Sequence, residues 1–579
     1  MLHVYHSNRL EALCILLCSL RESRPPADPV AAETVLVANP GIGRWLNFQI
    51  ANRSGIAANI NYMLPATFVW QLYRNCLDEV PQQSAFEKGA LRLRVLHELT
   101  NISNTTDKVW VPLQRYLNTD SGAVGDSKRV QLASRIADVF DQYLVYRPQM
   151  LLDWEQGADT VPGNDPAQRW QPALWRLLVT SANEHHRARL WQQFCSRADK
   201  GQLDADLLPP HLHLFNVGLL PPSTLDVLVR LSNMTSADTE RVSLYFLNPA
   251  VDYWADLLDM RRAARERLKL STAAEPLADD QVGNPLLSSL GGSGRTLMKL
   301  LGDRSEWVHD EQFFLPADDQ SLLAAVQRDL LHPYDNASPN NKLPHTTDDQ
   351  SIQLHQCYSP LREVQALHDR LLDRFNADDS LEPADILVMV PDINTYAPVV
   401  EAVFGSAGTE PGDRARHIPW SIADRSLVQV SQVIACVERL FRLPAFEFEA
   451  TGVLAFAAEP AIARRFGFDE NALKTLNQWL LESGIRRTLA GQHNKILKAH
   501  AADLHSWDFG LRRLLLGRAM PEGSEAVGEC LPWTNIDGQQ VVLLSQLLNL
   551  LEALADTQKK LQTERSVACL LYTSPSPRD

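Results

Sequence analysis

Two aspartates, a glutamine and an arginine crowd into the stretch Leu132–Pro148, which reads L-A-S-R-I-A-D-V-F-D-Q-Y-L-V-Y-R-P. Asp138 lies three residues before Asp141 and four before Gln142, so on a helix the three are surface neighbours. Arg147 follows just before a proline that ends the helix. Two carboxylates, an amide and a guanidinium on one face can read the hydrogen-bonding edges of a ligand. The same pattern suits a solvated helix face, which is the commoner fate of charged residues. Leu132, Ile136, Phe140, Tyr143 and Leu144 recur at helical spacing and form an apolar stripe. A core must therefore back this helix and hold its polar face outward.

The chain supplies enough residues for such a core. Its 579 residues suit roughly three to five domains. Hydrophobic content of 45% and charged content of 22% are those of a soluble globular protein. A net charge of −15 argues against a surface that clings everywhere to nucleic acid, while leaving room for a basic groove inside an acidic body. The eight cysteines include no C-x-x-C pair, which points to a reduced, cytoplasmic setting. The histidine pairs His211/His213 and His185/His186 lack further ligands at metal spacing, so no metal site is assigned. Leu10–Leu20 is apolar but broken by Glu11 and too short to span a bilayer, and it lacks the marks of a signal peptide.

Strand, tight loop and helix alternate at the start of the chain. Leu2–His6 reads as a strand, followed by Ser7-Asn8 and a helix from about Arg9. Thr34–Ala38 reads as a second strand, and a helix follows from near Arg44. This is the α/β pattern, whose ligands bind at loops after strand ends. None of the candidate loops has the composition of a phosphate-binding loop. Ser7-Asn8 has no glycine and no following Lys-Ser/Thr, and Gly41-Ile42-Gly43-Arg44 lacks the lysine. Gly291-Gly292-Ser293-Gly294-Arg295-Thr296 has arginine for lysine and Ser289 where the first glycine should stand, so it is expected to be a flexible turn.

The domain order follows from composition. Residues 1–85 and 200–331 make a first α/β domain, with strands at His211–Val217 and Val242–Leu247 and a helix between them at Thr224–Leu231. Residues 86–199 form a helical, tryptophan-rich insertion, and 332–350 a polar, proline-bearing linker. Residues 351–430 begin a second α/β domain, with strands at Ile352–His355 and Ile386–Val390 and a helix at Arg362–Arg374; residues 431–565 are a helical insertion. Residues 566–579 read as a non-native tail, and the second α/β half as incomplete, so bare apolar surface is expected there.

Two α/β halves with helical insertions and no nucleotide-binding residues make a plan that resembles inactivated superfamily 1 helicase halves. Specific strings sharpen the likeness. They are V4-Y-H-S-N-R-L10, G55-I-A-A-N-I-N61, L64-P-A-T-F-V-W70, F140-D-Q-Y-L-V-Y-R-P148, W170-Q-P-A-L-W175, G283-N-P-L-L287, S359-P-L-R-E-V364, L367-H-D-R370, A402-V-F-G405 and D424-R425. Together they span essentially all of residues 1–565 and resemble the RecC family, the gamma subunits of the bacterial RecBCD complex, exodeoxyribonuclease V.

The resemblance implies a chain roughly half a family member in length, without ATPase or nuclease activity of its own. It implies RecB-like and RecD-like partners, which use the ATP and Mg2+, and no cofactor in this chain. The ligands would be double-stranded DNA ends and single-stranded DNA, with no membrane. The role would be to split the duplex, guide the 3′ strand and scan it for the octamer Chi. The positions matching the strand's path are Leu64, Trp70, Asp138, Asp141, Arg147 and Arg187. Aspartate can accept from a cytosine amino group, arginine can pair with guanine or a phosphate, and Trp70 offers a stacking face. Trp70 equally suits core packing, and Arg187 a surface cation.

The sequence departs from the family pattern at Ala38–Arg44, where the expected amide and hydroxyl side chains are missing, and at Val139, where a leucine is expected. The octamer read could therefore differ, or none be read. The competing classes are an ATP-dependent motor, which lacks its Walker lysine, and a metal-dependent nuclease, which lacks a convincing acidic cluster with a following E-x-K.

Overall fold

Apolar side chains on the central strands, with a polar strand at one edge, build a six-stranded parallel sheet. The computed structural model describes residues 1–24, 32–102, 105–117, 122–161, 163, 165–182, 185–204, 207–234, 241–257, 284–317, 320–333, 348–406, 417–423, 431–489, 504–521, 524–528, 530–534, 536, 538 and 540–562. The chain divides into two compact units, Met1–Leu354 and His355–Asp579. Most of the expected linker, residues 334–347, and the tail 566–579 lie outside the described residues.

The elements of the first unit run β1 (Leu2–Ser7), α1 (Leu10–Ser23), β2 (Glu33–Val37), α2 (Pro40–Ser54), β3 (Ile60–Met63) and α3 (Pro65–Cys76). The insertion adds α4 (Lys88–Ile102), α5 (Val111–Leu117), α6 (Gly122–Tyr146), α7 (Pro148–Glu155), α8 (Trp170–Thr180) and α9 (Arg187–Asp199). The sheet resumes with β4 (Leu212–Phe215), α10 (Pro222–Asn233), β5 (Val242–Leu247), α11 (Pro285–Leu290), α12 (Gly292–Gly302), β6 (Val308–Gln312) and α13 (Leu322–Leu331).

The strand order is β3-β2-β4-β5-β1-β6, and every pairing is parallel. Period-2 alternation gives the sheet two apolar faces. Leu2, Val4, Leu36, Leu214, Leu244 and Phe246 join the core that holds α3, α10 and α12. Tyr5, Val35, Val37, Phe215 and Tyr245 join the core under α1 and α2. Sequence periodicity alone leaves out β3 and β6. Both are short, and β6 (V-H-D-E-Q) has a single apolar residue to signal a strand.

The insertion has its own core, from Phe86 to Ala188, around Phe140, Trp154 and Trp175. The Phe140 ring stands edge-on to Trp175 at 5.6 Å and to Trp154 at 6.4 Å. Helix α9 joins the two cores: Ala188 belongs to the insertion, while Leu190 and Phe194 pack beneath the sheet.

The glycine-rich stretch at 291–296 is no flexible turn. Gly291 separates α11 from α12, and a Cβ there would lie 2.5 Å from the Leu287 carbonyl oxygen and 2.7 Å from the Trp254 ring. Glycine is present because helix and indole approach so closely. Arg295 is buried and donates to the Ser288 carbonyl.

In the second unit, Pro360–Ala377 and Ile393–Ser406 pack as a helix pair around Val364 and Phe404. A larger helical core gathers Leu443, Trp479, Trp507 and Leu547. The strands expected at 352–355 and 386–390 do not form: neither stretch pairs into a sheet among the described residues. Leu354 is 96% exposed, Leu387 81% and Met389 84%. A buried parallel strand needs a neighbouring strand and a helix layer on each face, and no neighbouring strand is present among the described residues.

Candidate nucleic-acid interface

Helix α6 carries the polar face that its spacing predicts. Ala133, Ile136, Ala137, Phe140 and Leu144 are buried, whereas Arg135, Val139 and Gln142 are exposed. The helix begins ten residues before Leu132, at Gly122, and stops at Tyr146. Pro148 does end α6, and in addition it opens α7, where the missing N–H of a proline does no harm.

Asp138 and Asp141 differ in their surroundings. Asp138 Oδ1 pairs with Lys88 Nζ at 2.8 Å, a cation from the first residue of α4. Asp141 is half-buried, and burial pushes its carboxyl above the usual carboxylate range. The Arg187 and Lys88 cations pull it back down, while Asp138 adds to the rise. Two anions and two cations thus share one patch, which makes it nearly neutral on an acidic protein. That balance lets a polyanion approach carboxylates that would otherwise repel it.

A buried cluster positions Arg187. His186 caps α9, its Nδ1 accepting from the Arg189 backbone N–H at 3.4 Å, and it is fully buried. Glu155, at the end of α7, accepts from His186 Nε2, from Arg189 Nε at 2.6 Å and from Trp175 Nε1 at 3.2 Å. Burial pushes His186 below its ordinary pKa, so the neutral ring donates through Nε2 and accepts through Nδ1. Burial raises the Glu155 carboxyl, but hydrogen bonds and charge from His186 and Arg189 outweigh this and hold it below the usual range. Arg187 follows directly in the first turn of α9 and faces both α6 and α3, where its charge is felt by Asp141 and Tyr73.

Trp70 lies one turn before Tyr73 on α3. It is half-buried against the sheet core, and its indole N–H is buried with no hydrogen-bond partner. Its ring is therefore anchored in the core with part of it exposed. Leu64 caps the same helix and is 44% exposed. It lines a cavity of about 350 Å³ with Arg44, Asn47 and Tyr62. Helix α2 beside it starts at Pro40, earlier than expected, because Asn39 caps it by accepting from the Ile42 N–H at 3.0 Å. Gly43 lets α2 lie against Tyr62, which a Cβ would meet at 3.1 Å.

Asp138, Asp141 and Arg187 thus come together, and on α3 the Arg187 charge reaches Tyr73, while Leu64, the cap of that helix, lines the cavity with Arg44 and Tyr62. Arg147 stands apart. It is exposed at the α6–α7 break, about 9 Å of helix rise beyond Asp141. Lys88, Tyr73, Arg44 and Asn47 were not among the expected site residues. Lys88 carries no local signal, because its partner Asp138 is distant in sequence.

Comparison with known proteins gives this surface a family context. Residues 2–333 match the family model described as RecC, N-terminal domain, and residues 430–570 match that of the RecBCD enzyme subunit RecC fourth domain. The chain belongs to the RecC family. It is 36% identical to the RecBCD enzyme subunit RecC of Escherichia coli (strain K12), over 98% of this chain and 52% of that protein. The counterpart in Haemophilus influenzae is 32% identical, over 97% and 52%. The one in Mycobacterium tuberculosis (strain H37Rv) is 28% identical, over 96% and 49%. The chain spans about half the length of the curated relatives it matches.

In this RecC-family chain the first strand–helix loop is tied to its own protein. Asn8 Nδ2 donates to the Leu315 carbonyl at 2.7 Å, and Asn8 Oδ1 accepts from the Leu315 N–H at 2.9 Å. Ser7 Oγ accepts from the Arg9 N–H at 3.1 Å. Glu11 adds a negative charge to the first turn of α1. A phosphate at a helix N-terminus needs free N–H donors and no competing anion.

Proposed function

We propose that this RecC-family chain is a non-catalytic DNA-binding scaffold of a RecBCD-type helicase–nuclease. In that role it splits duplex ends, guides the 3′ single strand and scans it for a Chi-type octamer during double-strand break repair by homologous recombination. RecB-like and RecD-like subunits would supply the motors and the nuclease and use the ATP and Mg2+. The setting would be cytoplasmic, and no described helix is long and apolar enough to cross a membrane.

The observation that carries this reading is the charge-balanced patch of Asp138, Asp141, Lys88 and Arg187, whose Arg187 also acts on Tyr73 of α3, the helix that carries the half-buried Trp70. An aromatic ring for stacking, carboxylates that accept from base amino groups and a guanidinium for base or phosphate form a single-strand reading set. Leu64 and Arg147 lie outside this patch and would meet the strand elsewhere on its path. The loop at Ser7–Asn8 supports a role without ATP hydrolysis, because Leu315 occupies Asn8 and Glu11 opposes an anion. The test is strand crosslinking in the assembled complex from a photoreactive residue at Trp70 or Asp141. Crosslinks to the 3′ strand are expected, and their absence at both positions refutes the reading.

A further inference from the structure

The edge strand β6 has no buried residue. A strand of that kind keeps its place by backbone pairing to β1, with little apolar burial to help. One face of the pair gains a specific contact, between His6 Nε2 and Asp310 Oδ1 at 3.1 Å. The other face holds His3, His309 and Glu311. Parallel register sets His3 opposite His309, and alternation puts Glu311 on the same face. The two imidazole rings meet edge to face at 5.1 Å, and Glu311 Oε1 lies 3.5 Å from His309 Nε2. One ligating atom from each of the three residues lies within 4.8 Å of the other two. A polar edge discourages aggregation without any need for three ligands to converge.

We propose that His3, His309 and Glu311 form a site for a divalent transition metal of the zinc class, which clamps β6 to β1. Two imidazole nitrogens and one carboxylate oxygen are a zinc-type donor set, leaving a fourth position for water. Ligands bonded at about 2.0–2.2 Å in a tetrahedron sit about 3.4 Å apart, so closure from 4.8 Å requires only side-chain rotation. His309 and Glu311 are exposed enough to rotate, at 53% and 39% of their side chains. Magnesium is excluded by the same chemistry, since it prefers six oxygens. The clamp acts on more than the strand. The chain leaving β6 bonds Phe313 N–H to the His6 carbonyl at 2.7 Å and Leu315 to Asn8. Metal binding would therefore stabilise the segment that closes over the first strand–helix loop. The local sequence hides this site, because its ligands come from opposite ends of the first unit.

The test uses the full chain without a histidine tag, dialysed against zinc alone. One zinc retained per chain and a raised Tm are expected. H309A should bind at least tenfold more weakly and E311Q should also weaken. H332A removes an exposed histidine elsewhere in the unit and should match the parent chain. Far-UV circular dichroism checks that the variants fold. Magnesium should neither bind nor displace zinc. Failure to retain stoichiometric zinc overturns the proposal, and so does equal retention by H309A and the parent chain.

Discussion

Lys88 Nζ lies 2.8 Å from Asp138 Oδ1, so the first turn of α4 supplies a cation to the polar face of α6. With Arg187 near the other end, the charged patch is assembled from both ends of the insertion. Lys88→Ala should leave stability almost unchanged, because Lys88 is exposed and surface ion pairs contribute little. The Asp141 carboxyl should rise further, since Lys88 helps to hold it down. Carboxyl titration by NMR measures that rise, and single-strand affinity should fall as the aspartates outnumber the cations. Unchanged affinity would show that charge balance on this patch is irrelevant to binding.

Glu155 should matter more for stability than any residue of the exposed face. Glu155→Ala leaves the buried His186 and Trp175 N–H groups without their acceptor, at a cost of about 1–3 kcal/mol, while the part-exposed Arg189 turns to solvent. Urea denaturation reads the loss. DNA affinity should fall with it, because α9 no longer holds Arg187 in place.

Acid should destabilise the insertion. Burial depresses the folded His186 pKa, so as pH falls below about 6.5 the unfolded chain binds a proton that the folded chain resists. Glu155 is also depressed, so the stability it contributes above its ordinary value of 4.5 is lost as pH falls further. Asp141 has the opposite sign: its raised carboxyl favours the fold at low pH, and that help is lost as pH rises. Asp141→Asn should therefore raise Tm at neutral pH while weakening strand recognition. A thermal melt series from pH 8 to pH 4 on parent and variant separates the two effects, and a lower Tm for the variant at neutral pH would contradict the assignment.

Removing the core behind the polar face should dismantle it. Phe140 is fully buried between Trp154 and Trp175, so Phe140→Ala should cost about 3–5 kcal/mol. A loss below about 1 kcal/mol by denaturant titration would mean that α6 is held by other contacts.

Asn8→Ala removes two hydrogen bonds to Leu315, each worth about 0.5–1.5 kcal/mol net. It should loosen the segment after β6 without creating an ATPase, since no Walker lysine follows. ATP turnover by the isolated chain, parent or variant, would contradict a non-catalytic role.

The stripe Leu132–Leu144 and strands β1, β2, β4 and β5 are legible in the sequence, because burial on one or both faces writes a period of 3.6 or a continuous apolar run. Strand β6 is not, because an edge strand needs no apolar face. The extended stretches 352–355 and 386–390 read as strands from composition, but composition cannot supply the strands they would pair with. For the same reason the Lys88–Asp138 pair, the Glu155 cluster and the His3–His309 pair escape sequence reading: each joins residues that only folding brings together. Gly291 misleads in the other direction. It looks like freedom but reflects close packing against Trp254.

The most direct measurement is octamer response by the chain assembled with the RecB-like and RecD-like subunits proposed as its partners, carrying Asp138→Ala, Asp141→Ala and Arg187→Ala together. The account predicts that unwinding continues at near-parental rate while response to the recognition octamer is lost or its sequence preference relaxed. Full octamer response in the triple variant would contradict it, and would reduce this surface to a wall of the strand's path.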